Sequence, residues 1–278
     1  MNKFNWLNSN FLIISVIIGI ILGILISNVL IGKPEIGLIK IDGVISSEKV
    51  DSIIIELREL KEDNKVKAVV LEIDSPGGGA ANVEEIYLDL LELRKEKPVV
   101  VVINGRGASG AYYIAVASNF IYAKPSSEIG GIGVISFLPK KTKFKENVII
   151  SGPFKEIGES NKERIETVQL IAESFIRAVM DQRGDKLKLD REELFKAKVY
   201  TGIEAVNNGM IDDIGSIFNA LDKAAQLAGI SSYEVKKDDK NKEEIIIQLD
   251  LFSNESALDL KESEAFEEAN YFYLPSGK

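Results

Sequence analysis

The stretch PVVVVINGRGASGAYYIA, residues 98–115, runs from an unbroken apolar segment into a knot of small residues. Four consecutive valines and an isoleucine make a β-branched run, the pattern of a strand covered on both faces. The chain then passes through Gly105, Gly107, Ala108, Ser109, Gly110 and Ala111 before a second apolar segment begins. Small residues at such a junction let a strand turn sharply into a helix. They also leave Ser109 as a hydroxyl on the turn. Two readings stay open on the pattern alone. The serine is a nucleophile, or it fills space where helix and strand pack closely. The pattern comes near the G-x-S-x-G elbow of hydrolases, with Ala111 in the last place.

The same order of strand, glycine-rich loop and helix occurs just upstream. VKAVVLEID (66–74) reads as a buried strand, SPGGG (75–79) breaks the chain, and AANVEEIYLDLLELRKEK (80–97) reads as a helix with basic last turns. Before these, IGLIKIDGVI (36–45) predicts a strand ending at Asp42-Gly43. In residues 47–63, Val50, Ile53, Ile54, Leu57 and Leu60 fall on one helical face. FIYAK (120–124) and IGVISF (132–137) predict two short strands. Residues 161–183 predict a long helix, and Asp190 opens a short one. Residues 200–215 read as a capped helix, a glycine stop and a turn, and residues 216–229 as a last helix stopped by Gly229. Repetition of this unit predicts an α/β domain with a parallel sheet. Loops after such strands gather at the carboxyl edge of the sheet, so 75–79 and 105–110 are expected to face one site. A charged linker (236–244), the apolar IIIQLDLF (245–252) and an aromatic tail ending YFYLPSGK follow. The tail has the character of an added strand.

Charge and composition narrow the chemistry. The 278 residues carry 34 Lys+Arg against 43 Asp+Glu, a net charge of −9. Such a balance argues against nucleic acid as a partner. There is no cysteine and no histidine, which excludes disulfides, thiol catalysis and a Ser-His-Asp triad and makes a zinc site improbable. No metal or other cofactor is expected. At the N-terminus, residues 11–31 are uncharged and apolar, long enough as a helix to cross about 30 Å of hydrocarbon. The length and the lack of an A-x-A-like exit favour an uncleaved anchor over a signal peptide. Lys3 before it sets a slight positive-inside bias. That bias places the N-terminus in the cytoplasm and everything after residue 33 outside, as expected of a single-pass protein of the cell membrane.

Without histidine, the common base for a serine nucleophile is lysine. A lysine must fall from about 10.4 to about 7–8 to serve, which burial in an apolar pocket achieves by disfavouring the charged form. Lys124, Lys140, Lys141, Lys143, Lys145 and Lys155 follow the serine. Those in PKKTKFKE read as a solvated loop. Lys155, in SGPFKEIG, has Pro153, Phe154 and Ile157 nearby, although Glu156 works against a lowered pKa. Backbone N–H groups of Gly77, Gly78, Gly79 and Gly110 are available to hold an oxyanion. SPGGG reads equally well as a plain strand-to-helix turn.

Taken together, EIDSPGGG (72–79), INGRGASGAYYIA (103–115), IGGIGVI (129–135), ISGPFKEI (150–157) and VYTGIEAVNNGMIDDIG (199–215) resemble the signal peptide peptidase SppA family of membrane-associated serine proteases. More distantly they resemble the ClpP/crotonase fold. The resemblance implies a spiral of ββα units over residues 32–229, an extension over 230–278, and assembly into a ring of identical subunits. It implies Ser109 as nucleophile, Lys155 as general base, Gly78 and Gly110 as oxyanion donors, and hydrophobic peptides such as signal peptide remnants as substrates. A specific membrane-protein client is a narrower version of the same reading. A crotonase-like enzyme acting on acyl-CoA, or a catalytically silent scaffold, is the alternative. Gly131 departs from the pattern, since many relatives carry there a serine that hydrogen-bonds the lysine. Ser127, Ser136 and Ser151 are the hydroxyls nearby in sequence.

Overall fold

The computed structural model describes residues 11, 13–20, 33–137, 151–152, 155, 158 and 160–237. Residues 11 and 13–20 are helical with exposed side chains. No helix among the described residues is long and apolar enough to cross a membrane. The remainder of the expected anchor, together with IIIQLDLF and the aromatic tail, lies outside the described residues.

The elements run β1 (Glu35–Asp42), α1 (Ser47–Glu62), β2 (Val66–Ser75), α2 (Ala80–Leu93), β3 (Val99–Ala108), α3 (Gly110–Val116), β4 (Phe120–Ala123) and β5 (Glu128–Gly130). After these come α4 (Asn161–Arg183), α5 (Arg191–Phe195), β6 (Val199–Thr201), α6 (Gly202–Asn207), β7 (Asp213–Ile214), α7 (Ile217–Ala228) and β8 (Glu234–Lys237). One sheet has the order β6-β5-β3-β2-β1-β8, with β4 beside β3 and β7 beside β4. β8 pairs parallel with β1, so the compact unit extends past residue 229 to Lys237.

The valine run explains itself in this sheet. Alternate residues of β1, β2 and β3 point to opposite faces. Ile39, Leu71, Val99, Val101 and Ile103 join the core under α1, α2 and α3. Ile36, Leu38, Val70, Val100 and Val102 pack instead against Ala220, Leu221 and Ala224 of α7. Both faces are covered, and hence no position in the run is polar.

Three expectations are corrected. The sheet is mixed rather than parallel, because β6 runs antiparallel to β5. IGVISF forms no strand. Gly130 and Gly131 take φ of 117° and 62° and turn the chain out of the sheet, so residues 131–137 leave it and the short strand is Glu128–Gly130 instead. α2 stops at Leu93, before the basic residues expected in its last turns. Arg94 donates instead to the carbonyls of Ala117 and Ser118, tying α2 to the end of α3.

One buried ion pair locks the C-terminal part onto this frame. Arg183, only 6% exposed, donates from Nη1 and Nη2 to Asp212 at 3.0 and 3.1 Å and from Nε to the Gly209 carbonyl at 2.9 Å. Asp212 also accepts from the Ile121 N–H of β4 at 2.8 Å and from Lys186 at 2.7 Å. Beside them the buried Tyr112 hydroxyl donates to the Met210 carbonyl at 2.8 Å. Burial pushes the Asp212 carboxyl up, but the guanidinium and its other donors outweigh that and hold it below the usual carboxylate range. A depressed carboxylate stabilises the fold above its unfolded pKa of about 3.9, and that stabilisation is lost as pH falls through the folded value. Asp212→Asn is expected to lower unfolding free energy by about 3–5 kcal/mol at neutral pH, since it leaves a buried guanidinium without its counter-charge. Urea titrations should show the wild-type advantage shrinking below about pH 4.

Candidate active site

β3 delivers Ser109 to the carboxyl edge of the sheet, and α3 begins at the next residue. Ser109 takes φ 52° and ψ −127°, a region that side-chain-bearing residues seldom occupy. That conformation makes the turn from strand to helix within one residue. The Ser109 carbonyl accepts from the N–H groups of Tyr112 and Tyr113 at 3.0 and 3.1 Å, starting the helix, while its own N–H donates to the Gly130 carbonyl at 2.7 Å. The amide of the serine is therefore committed to β5 and cannot serve as an oxyanion donor.

The loop after β2 packs directly against this turn. A Cβ on Gly77 would lie 2.7 Å from the Gly110 nitrogen. One on Gly78 would lie 2.2 Å from the Ile45 carbonyl oxygen, and one on Gly110 would lie 2.4 Å from Val83 Cγ2 and 3.3 Å from the Gly78 nitrogen. The glycines are thus required by packing, and the same packing brings Gly110 close to the Gly78 amide. The Gly77 N–H is taken by the Oγ of buried Ser75 at 3.1 Å. With the Gly77 and Ser109 amides occupied, those of Gly78 and Gly110 remain as candidate donors beside Ser109. Two such donors beside one hydroxyl can hold a tetrahedral oxyanion.

Ser109, Gly110 and the loop line a cleft of about 370 Å³. Its other walls are apolar: Val44, Val83, Tyr113, Ile171, Phe175, Val134 and Ile135, the last 85% exposed. Tyr113 stacks on Tyr87 with ring centroids 4.5 Å apart and tilts against Phe175 at 4.7 Å. Burial raises the Tyr113 phenol above its ordinary value, so it stays protonated and is no candidate for a base. The described lining contains no carboxylate.

Of the four predicted site residues, the structure brings together Ser109, Gly78 and Gly110. Lys155 is exposed, with its N–H donating to the Gly152 carbonyl at 3.2 Å, and is not among the described residues lining the cleft. Its neighbours Pro153, Phe154, Glu156 and Ile157 lie outside the described residues. Of the three hydroxyls considered beside Gly131, Ser127 is buried and donates to the Ile103 carbonyl at 2.9 Å, which commits it to the sheet edge; Ser136 and Ser151 are exposed. Sequence reasoning did not single out Ser75, Val83 or Phe175. Phase along the helix marks Val83 and Phe175 as core-facing, but nothing local says that this part of the core opens onto the serine.

The family model described as peptidase family S49 matches residues 92–231, just over half of the chain, and the Clp protease model matches residues 34–129. A Methanocaldococcus jannaschii protein named as a candidate protease is 33% identical over 210 residues, which take in 70% of this chain and 67% of that one. The chloroplastic serine protease SPPA of Arabidopsis thaliana is 31% identical over 225 residues, 72% of this chain but only 33% of its own length. Among solved structures, a membrane-bound stomatin-specific protease, caught as a lysine-to-alanine variant with a substrate peptide, superposes with a TM-score of 0.51. It is 22% identical, and the match covers 74% of this chain and 92% of that one. That likeness shows a shared ClpP-like α/β fold. With a family match over residues 92–231, just over half of its length, and SppA-named relatives about 30% identical to it, the chain belongs to peptidase family S49.

Proposed function

We propose that this chain is a membrane-anchored serine endopeptidase working through a Ser109–Lys155 dyad on peptides with apolar side chains, signal peptide remnants among them. The observation that carries the reading is the left-handed turn at Ser109, which sets its hydroxyl in an apolar cleft beside the Gly78 and Gly110 amides.

In this mechanism the Ser109 Oγ attacks the scissile carbonyl while neutral Lys155 Nζ takes its proton. The Gly78 and Gly110 N–H groups hold the oxyanion. Collapse breaks the C–N bond, Lys155 returns the proton to the departing amine, and an acyl ester remains on Ser109. A water molecule, deprotonated by Lys155, then attacks the ester; the C–O bond to Ser109 breaks, Lys155 returns the proton to Ser109 Oγ, and the carboxylic acid leaves. Lys155 is exposed in the isolated chain. The reading therefore requires bound peptide and the assembled ring of subunits to take it out of water and within reach of Ser109. The apolar lining favours hydrophobic segments, and a membrane-protein client, like the stomatin in the name of the solved relative, is the narrower form of this reading. The absence of a carboxylate from the described lining argues against acyl-CoA chemistry of the crotonase kind.

Ser109→Ala and Lys155→Ala are each expected to lower cleavage of an apolar peptide by at least a thousandfold with the melting temperature unchanged. A fluorophosphonate probe should label wild type at Ser109 alone. Full activity in either variant would remove the dyad. Deleting residues 1–31 is expected to move the protein from the membrane to the soluble fraction. In intact cells, protease added from outside should reach the domain that follows the anchor.

A further inference from the structure

Only two non-glycine residues of the described chain have positive φ: Ser109 at 52° and Ala197 at 50°. They lie far apart in sequence, and one peptide group joins them. The carbonyl of Gly130 accepts the Ser109 N–H at 2.7 Å. The N–H of Gly131, on the other side of the same peptide bond, donates to the carbonyl of Lys198 at 2.8 Å. Lys198 follows Ala197 directly, and β6 then pairs antiparallel with β5 through Gly130 and Val199. A hydrogen-bond chain thus runs from Lys198 through a single amide plane to the backbone of Ser109, and each bond in such a chain polarises the next.

We infer that the Gly130–Gly131 peptide is a strut that positions the Ser109 elbow, with the Ala197–Lys198 turn as its fixed end; this rests on the serine peptidase reading given above. Two further facts point the same way. At φ 117°, Gly130 would place a Cβ 2.6 Å from the Lys198 carbonyl oxygen, so only glycine lets β6 come this close. A Cβ built on Gly133, which lines the cleft, would touch Ala197 Cβ at 3.1 Å, so the same turn also backs the cleft wall. Backbone strain of the kind seen at Ser109 persists only where surrounding structure over-determines it, and the strut supplies that constraint from outside the β3–α3 unit. Gly130, Ala197 and Lys198 are positioning residues, acting through the serine and not on the substrate.

The test compares wild type, Gly130→Ala, Ala197→Val and Ala197→Gly in the full-length protein. Readouts are the rate of fluorophosphonate acylation at Ser109, kcat and KM on an apolar peptide, and thermal melting. Folded Gly130→Ala is expected to lose at least tenfold in acylation rate and kcat while KM stays within twofold. Ala197→Val, whose branched side chain resists positive φ, should lose kcat in the same way. Ala197→Gly keeps the turn available and should retain at least half of the wild-type rate. If Gly130→Ala does not fold, the Val and Gly variants at 197 decide the matter. Wild-type acylation in folded Gly130→Ala or in Ala197→Val overturns the strut. Failure of the probe to label wild type at Ser109 overturns the serine reading instead, and the strut with it.

Discussion

Everything at the carboxyl edge of this sheet depends on two backbones meeting without side chains between them. The loop after β2 approaches the turn after β3 so closely that a Cβ on Gly77 would fall 2.7 Å from the Gly110 nitrogen, while Gly78 is pressed against the Ile45 carbonyl and Gly110 against Val83. That contact brings two amides beside one hydroxyl. Gly78 and Gly110, both tightly packed, also line the cleft, whereas the Gly77 N–H is spent on Ser75.

Two further layers hold that contact in place. Below it, the sheet is closed on both faces, by α1, α2 and α3 on one side and α7 on the other, so the strands feeding the two loops cannot shift in register without exposing a whole face. Behind it, the C-terminal half of the domain folds back onto the sheet. Arg183 and Asp212 fasten the end of α4 to β4, and β6 pairs with the short β5. The cleft accordingly draws its walls from distant parts of the chain: Val83 from α2, Tyr113 from α3, and Ile171 and Phe175 from α4.

Much of this was legible in the sequence. The strand–loop–helix repeats predict the elements from β1 to α3 closely, and α4 falls on residues 161–183 as expected. The two glycine loops face one cleft, as parallel topology demands. Two of the errors share one cause. IGVISF has the composition of a strand, yet Gly130 and Gly131 turn the chain before it, and a hydrophobic run is no strand without a partner at hydrogen-bond distance. The antiparallel β6 was equally hidden. A three-residue strand bordered by α5 and α6 has no periodicity of its own, and only its pairing with β5 defines it.

Composition by itself settled what chemistry was open to this chain. Without histidine or cysteine, the common base left for a serine nucleophile is lysine, and no fold can supply what the chain does not encode. Local patterning likewise set the helices and buried strands, because burial of one face or two leaves its period in the order of residues. Which amides remain free was decided only in three dimensions. Gly77 and Gly78 are alike in sequence, but the Ser75 hydroxyl occupies one amide and leaves the other. The Ser109 amide goes to Gly130, and the apolar walls come from helices far along the chain. Hydrogen bonds and contacts of that kind depend on distances between segments remote in sequence, and those distances exist only once the sheet has brought the segments together.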